Sequence, residues 1–331
     1  MRLSAFLDLT FGTLLNRPAI SAFGRVVTES SRVERSDLFI AIDPATIPEA
    51  LERGAYGIVV DTSMDLPSIT DEESAWIVVD DLIEALMRVA KFSLIDQPQT
   101  IYLLPATALY IARSLFLEKE CTILGPDPFT LFLERLINRT AIAMLAHPSL
   151  ATSPLAPWTQ ELTLEEPTAI PQGLFFHRQD GQRLLALPIL YARECATLFK
   201  LAASLSLTLL SSEGRSLLFQ PYFVDRHLSL APFGTTNRAV IITRTLDLEV
   251  VTNEIAYLLD QAPWSRPLIL LPRSLESIKL SYDRIIIYET LSQATDILTS
   301  SLFTYAYMVV GSGEPLPFLK NNDATLSLFD L

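Results

Sequence analysis

The side chains best suited to binding chemistry stand in a short polar run that precedes an apolar segment. Ser31 and Arg32 place a hydroxyl next to a guanidinium, and Asp37 comes directly before the apolar run 38–42. A carboxylate just before a buried strand can accept backbone N–H groups and fix the turn that leads into the strand. These three residues are the first candidates for a site.

A second candidate lies near the other end of the chain, where Gly311, Ser312 and Gly313 follow the strand predicted at 305–310. Glycines after a parallel strand can expose backbone N–H groups that cradle an anion. A plain turn is the favoured alternative for so short a motif. None of the three histidines has a second His or Cys at metal-ligand spacing, so no metal site is predicted.

Composition limits the kind of protein this can be. The chain has 331 residues and a formal charge of −13, and half of it is apolar. That length predicts two or three domains, and the negative charge argues against a nucleic-acid-binding protein. No apolar run reaches the roughly 18 uncharged residues that a membrane-spanning helix needs. The N-terminus lacks a secretory signal, so we expect a cytoplasmic protein in which Cys121 and Cys195 are buried free thiols.

Hydrophobic periodicity divides the chain into three consecutive α/β units, at 1–95, 96–211 and 212–331. Predicted strands share β-branched or aromatic content, and they cover 26–27, 38–42, 57–61, 76–79, 100–104, 121–125, 141–145, 239–243, 267–271, 284–287 and 305–310. Predicted helices share apolar residues three or four positions apart, and they cover 47–53, 82–92, 106–117, 128–138, 190–205, 247–260 and 290–302. A hairpin is predicted around Gln179–Gln182. The third unit is interpreted as a doubly wound domain.

The first unit resembles the nucleotide-holding domain of the muramyl-peptide (Mur) ligases, most closely of the type that adds D-Ala-D-Ala to UDP-MurNAc-tripeptide. The similar segments are Ser30 to Ala41 and the Ala-x-x-x-Gly-Ala run that begins at Ala50. Ser36 stands where that family often has Gly. The resemblance implies that Ser31 and Arg32 contact the uridine side of a UDP-sugar, since a guanidinium can hold phosphate in a fork. The alternative is that Arg32 only ties the loop to Glu29 or Glu34.

The chemistry of the family depends on a glycine-rich phosphate loop that ends in Gly-Lys-Thr or Gly-Lys-Ser, and no Gly-Lys pair occurs here. The corresponding place reads Leu104-Pro105-Ala106-Thr107, which lacks the glycines that wrap a phosphate and the lysine that neutralises it. Asp127 and Glu134 are interpreted as a helix cap and a surface charge rather than as magnesium ligands. The strand ending in Gly311-Ser312 has lost the Lys and Arg of the family. ATP and magnesium are therefore not expected as cofactors.

The leading hypothesis is a non-catalytic, Mur-ligase-like protein of peptidoglycan precursor metabolism that binds a UDP-muramyl precursor or a cell-wall enzyme. Two alternatives stay open. One is an active ATP-dependent amide ligase whose nucleotide site has moved, and the other is a structural protein that acts as an oligomer.

Overall fold

A computed structural model describes residues 1–64, 73–124, 128–165, 175–180, 183–210, 218–232, 235–278, 281–311 and 313–316. Their contacts group the chain into two compact units. Unit 1 comprises residues 1–105 and 118–162, and unit 2 comprises residues 106–117 and 163–331.

Within its described residues, unit 1 contains two sheets and four α-helices. Its strands are β1 (Thr13–Leu14), β2 (Val26–Val27), β3 (Leu38–Ile40), β4 (Gly57–Asp61), β5 (Ala75–Val79), β6 (Ile101–Leu103), β7 (Cys121–Ile123), β8 (Ala143–Ala146) and β9 (Thr159–Glu161). Its helices are α1 (Leu3–Thr10), α2 (Ile47–Glu52), α3 (Leu82–Asp96) and α5 (Phe129–Asn138).

The first sheet has the order β1-β5-β4-β3-β2 and is parallel except at β1. Successive strand residues alternate between its faces. Ile40, Val59 and Ile77 pack into the core that includes α3 and α5. Phe39 and Ile58 pack on the opposite face with the apolar side of α2. Both faces are thus covered, which explains the continuous apolar strands in the sequence.

The second sheet is fully parallel, with the order β7-β8-β6-β9. Ile101, Leu103, Met144 and Ala146 from this sheet belong to the same buried cluster as α3 and α5. The first two predicted sheets therefore share one core and form one compact unit, although the sequence assigns them to separate domains at 1–95 and 96–211. The exact domain boundaries, after residues 95 and 211, stay predictions.

The part of unit 2 that the structure describes carries the third sheet, a hairpin and four α-helices. Its strands are β10 (Phe175–Asp180), β11 (Arg183–Pro188), β12 (Gln220–Phe223), β13 (Ala239–Thr243), β14 (Leu268–Pro272), β15 (Ile285–Tyr288) and β16 (Tyr305–Val309). Its helices are α4 (Ala106–Leu115), α6 (Ala192–Leu205), α7 (Leu248–Gln261) and α8 (Leu291–Ser300). The third sheet has the order β12-β13-β16-β14-β15, and only β12 is antiparallel.

The fold class is confirmed, since helices connect three mostly parallel sheets. The hairpin is confirmed as β10 and β11, with Asp180 opposite Arg183. Cys121 and Cys195 are buried thiols that form no disulfide, as predicted. The sequence did not reveal α1, β1, β9 and β12. β9 lies in the proline-rich stretch, and β12 contains Pro221, which is tolerated because β12 is an edge strand.

Candidate functional site

Ser31 and Arg32 lie together on a short 3-10 helix, Ser30–Arg32, between β2 and β3. Ser31 is exposed, and its hydroxyl donates to Glu29 Oε1 at 2.8 Å. The neighbouring Ser30 is buried and donates to Glu49 Oε2 at 2.6 Å. This hydrogen bond is the main reason why the pKa of Glu49 is lowered. Ser30 therefore anchors the 3-10 helix on its buried side, while Ser31 and Arg32 are exposed to solvent.

Arg32 is held by a buried carboxylate that the sequence did not reveal. Its Nη2 donates to Glu134 Oε1 at 2.7 Å, and the Arg32 side chain remains 42% exposed whereas that of Glu134 is 1% exposed. Glu134 Oε2 accepts from the backbone N–H of Thr28 at 2.8 Å and from its hydroxyl at 2.7 Å. The prediction that Glu134 is a surface charge is wrong. Arg32 is paired with this residue of α5 rather than only with its own loop.

α5 also binds β2 through Asn138, one helical turn after Glu134. Asn138 Oδ1 accepts from the backbone N–H of Val26 at 3.0 Å, and Asn138 Nδ2 donates to the Val26 carbonyl at 2.6 Å. Glu134 and Asn138 are four residues apart, so they lie on one face of α5. A polar pair at this spacing resembles a solvated helix face in the sequence, which is why sequence reasoning missed it. Asp127, the predicted cap of this helix, lies outside the described residues.

Asp37 is buried and supports the turn rather than facing solvent. Its carboxylate accepts from the backbone N–H groups of Glu34 at 3.0 Å and Arg25 at 3.2 Å, and from Arg25 Nη2 at 2.7 Å. This is the turn-fixing role predicted from its place before a strand. Ser36, directly before it, has φ +84°, a left-handed conformation that favours glycine. The family preference for Gly at this place thus has a backbone explanation.

The glycine turn near the end of the chain is partly described. The N–H of Gly311 donates to Glu314 Oε2 at 3.2 Å, and the N–H of Glu314 donates to the Gly311 carbonyl at 3.2 Å. Gly313 has φ +84°, and Ser312 lies outside the described residues. A carboxylate of the chain itself therefore contacts the backbone N–H that an external anion would use.

An acidic side chain also lies beside the first turn of α4. Thr107 Oγ1 donates to Glu194 Oε1 at 3.1 Å. Burial raises the pKa of Glu194, and the hydrogen bond from Thr107 partly offsets this rise. The chain reaches this helix through Leu104 and Pro105, and proline supplies no N–H to a phosphate.

A further buried carboxyl in unit 2 was not predicted. Glu254 on α7 is 0% exposed, and it accepts from the hydroxyls of Tyr191 at 2.7 Å, Tyr307 at 2.6 Å and Thr243. Burial raises its pKa to about 7, against the opposing effect of the three hydrogen bonds. Glu254 lies three residues after Val251 and four before Leu258, on the buried face of α7, so an acid at an apolar position was the one signal in the sequence; its partners are not indicated there.

Metal binding and membrane insertion find no support in the described part of the chain. These residues contain no group of three or more His, Cys, Asp or Glu side chains placed to hold a metal ion. No helix among them has the length and apolar character to cross a membrane.

Comparisons with known proteins rest on structure alone. No protein-family model matches the sequence, and no curated protein matches it. A crystal structure of MurF from Acinetobacter baumannii aligns with a TM-score of 0.51 and 13% identity, over 94% of this chain and 95% of that chain.

Two further structures align less well. The first is the UDP-N-acetylmuramoylalanyl-D-glutamyl-2,6-diaminopimelate–D-alanyl-D-alanyl ligase from Acinetobacter baumannii. Its TM-score is 0.48 at 12% identity, over 94% of this chain and 95% of that one. MurF ligase from Thermotoga maritima in complex with ADP has a TM-score of 0.45 at 12% identity, over 87% and 93%. On the strength of the first alignment, this chain has the multidomain α/β fold of the Mur ligases.

Proposed function

We propose that the chain is a protein of peptidoglycan precursor metabolism that binds the uridine-diphosphate end of a muramyl precursor and does not catalyse ATP-dependent ligation. The observation that carries the proposal is the exposed Ser31–Arg32 pair on one short turn. Glu134 contacts the guanidinium from the buried side, and 42% of the Arg32 side chain remains exposed. A guanidinium held by a buried carboxylate is suited to donate a pair of hydrogen bonds to a diphosphate.

The first turn of α4 supports the non-catalytic part of the proposal. In the Mur ligases a phosphate loop leads into the corresponding helix, where glycine N–H groups and a lysine hold the nucleotide. Here Pro105 supplies no N–H, and the Glu194 side chain lies at Thr107. A carboxyl group that ionises there would repel a triphosphate. The proposal therefore includes neither ATP nor magnesium, and it retains the cytoplasmic location predicted from the sequence.

Calorimetry on the purified chain tests this proposal, with UDP, a UDP-N-acetylmuramyl-peptide and ATP with magnesium as ligands. We expect binding of the uridine ligands and no heat from ATP. Arg32→Ala should weaken uridine-ligand binding at least tenfold. Arg35→Ala is the matched control, because Arg35 is an exposed arginine three residues away, and it should bind like the unmodified chain.

Each opposite result has a defined meaning. ATP binding would favour the alternative of an active ligase with a relocated nucleotide site. Absence of uridine-ligand binding, in a chain whose thermal melting is cooperative, would reject the ligand that we propose.

A second candidate function, docking of a cell-wall enzyme or self-association, is favoured by one surface of unit 2. Trp264 is 69% exposed and Leu302 is 89% exposed. The Trp264 ring lies 5.7 Å from that of Tyr305, and Arg284 donates to the Leu302 carbonyl at 2.8 Å and to the Arg266 carbonyl. An exposed Trp side chain with an Arg side chain nearby is typical of interfaces. Light scattering of the Trp264→Ala variant against the unmodified chain would show whether this patch supports an oligomer.

A further inference from the structure

The buried carboxyl of Glu254 joins four separate elements of unit 2. Glu254 lies on α7, Tyr191 directly precedes α6, Thr243 ends β13, and Tyr307 lies in β16. Thr243 Oγ1 also accepts from the backbone N–H of Phe219 at 2.9 Å. Of the three hydroxyls around Glu254, only that of Tyr191 comes from outside the third sheet. This bond ties the start of α6 to α7 and the sheet, beside a second hydrogen bond between Tyr257 on α7 and the backbone of Leu190.

The groups around this carboxyl are acids, phenols and one hydroxyl. Tyr191 and Tyr307 contact it directly, and Glu194 on α6 and Asp247 at the start of α7 act on Tyr191 through their charges. None of the contacts that the structure describes at Glu254 comes from a Lys, Arg or His. A buried carboxylate without a cation is costly, so the surroundings favour its neutral form.

Gain or loss of the proton changes the hydrogen bonds of the network. An ionised carboxylate only accepts, so it can satisfy all three hydroxyl donors. A protonated carboxyl donates one bond, so one hydroxyl must turn and accept. Thr243 already accepts from Phe219, and Tyr191 and Tyr307 are the two hydroxyls most able to adjust.

We propose that Glu254 is a proton-operated latch that fastens the start of α6 to α7 and the third sheet. It is tight when the carboxyl is protonated and looser when it is ionised, because the cost of a buried charge without a cation exceeds the gain from a third donated hydroxyl bond. The pKa of about 7 in the folded chain supports this, because it places the change within the physiological range. An unfolded glutamate titrates near 4.5, the ordinary value. Between these two values the unfolded chain has lost a proton that the folded chain keeps. Stability is therefore full below about pH 4.5 and falls as the pH rises towards 7.

The test compares the full chain with Glu254→Gln, whose amide keeps the shape of the side chain and does not titrate. For the unmodified chain we expect the melting temperature to fall by about 5 °C between pH 5 and pH 7.5, and the fall should be smaller in Glu254→Gln. Hydrogen exchange, corrected for the intrinsic effect of pH, should rise at the start of α6 over the same range. The Glu254→Gln variant should show no such rise.

Three further variants distinguish this latch from the effect of a neighbouring acid. Glu249→Gln removes an exposed acid from the first turn of α7 and should leave the pH dependence unchanged. Glu194→Gln removes a half-buried acid nearby, and the pH-dependent exchange at α6 should survive it. Tyr191→Phe removes the bond from Glu254 to the start of α6, so exchange there should be faster than in the unmodified chain at both pH values. This variant also keeps the test valid if Glu254→Gln fails to fold.

Two results would overturn the proposal. One is an equal pH dependence in Glu254→Gln and the unmodified chain. The other is a pH-dependent exchange that disappears in Glu194→Gln and persists in Tyr191→Phe, which would assign the effect to Glu194.

Discussion

At Ser36 the backbone has φ +84°, directly before the buried Asp37. A non-glycine residue in this region costs on the order of 1–3 kcal/mol, while glycine adds roughly 0.5–1 kcal/mol of unfolded-state entropy. We therefore predict that Ser36→Gly raises the free energy of unfolding by about 1 kcal/mol, as measured by chemical denaturation. Ser36→Ala keeps the strain and should give no gain. An equal gain from both substitutions would contradict the backbone explanation.

The buried carboxylate of Glu134 gives a second prediction for a single residue. Glu134→Ala leaves the N–H and hydroxyl of Thr28 without their acceptor and Arg32 without its partner. We expect a loss of about 2 kcal/mol in the free energy of unfolding. Glu34→Ala is the control, because Glu34 forms only a surface ion pair with Arg25, and it should change stability by less than about 0.5 kcal/mol. Equal losses would show that Glu134 acts as a surface charge.

Single residues also show what the sequence can and cannot predict. The role of Asp37 follows from local order, because a carboxylate before a strand has nearby N–H groups to accept. The partners of Glu134 are more than 100 positions away in sequence, at Thr28 and Arg32. No local pattern carries that information, so the sequence predicts a surface position for this side chain. The partners of Glu254 also lie on other elements, and the nearest of them in sequence is Thr243.

Among the elements, α3 has the clearest local signal. The pair Asp80 and Asp81 predicts a helix start, and the Asp81 side chain accepts from the N–H of Glu84 at 2.7 Å. We predict that Asp81→Ala lowers the free energy of unfolding by about 1 kcal/mol, because one N–H of the first turn loses its acceptor. Asp80→Ala is a matched control and should be nearly neutral. A loss of equal size in both variants would indicate a general charge effect instead of capping.

Helices and strands with strong periodicity have observed bounds close to the predicted ones. The predicted strand 57–61 is β4 without change, and the predicted helix 247–260 is α7 shifted by one residue at each end. β9 escapes prediction because its Thr-Gln-Glu sequence pairs only with β6 and buries no apolar residue. Its strand conformation depends on a distant partner, which local propensity cannot supply.

For the whole molecule, the path of the chain matters as much as the sheets. α4 belongs to unit 2, although the strands before and after it, β6 and β7, belong to unit 1. Within unit 2, α4 packs on α6, and the N–H of Leu210 donates to the Leu115 carbonyl at 2.8 Å. The sequence predicts that α4 follows β6, but it contains no indication of the unit in which α4 packs.

We predict that the fragment 163–331, which lacks α4, does not unfold cooperatively on its own, because the apolar face of α6 loses its cover. Circular dichroism during thermal melting measures this. Adding residues 106–117 to the start of the fragment through a flexible Gly/Ser linker should restore a cooperative transition. A cooperative melt of the fragment without that addition would contradict the prediction.

The hydrogen bonds from α5 to β2 also affect whether copies of this protein associate. β2 is the last strand of the first sheet, and an unpaired outer strand is a template on which a strand of another molecule can assemble. Asn138 bonds both outward backbone groups of Val26, and Glu134 bonds the N–H of Thr28, so these three groups cannot pair with an incoming strand. We therefore expect apolar replacements at these two positions to cause aggregation of molecules that are still folded.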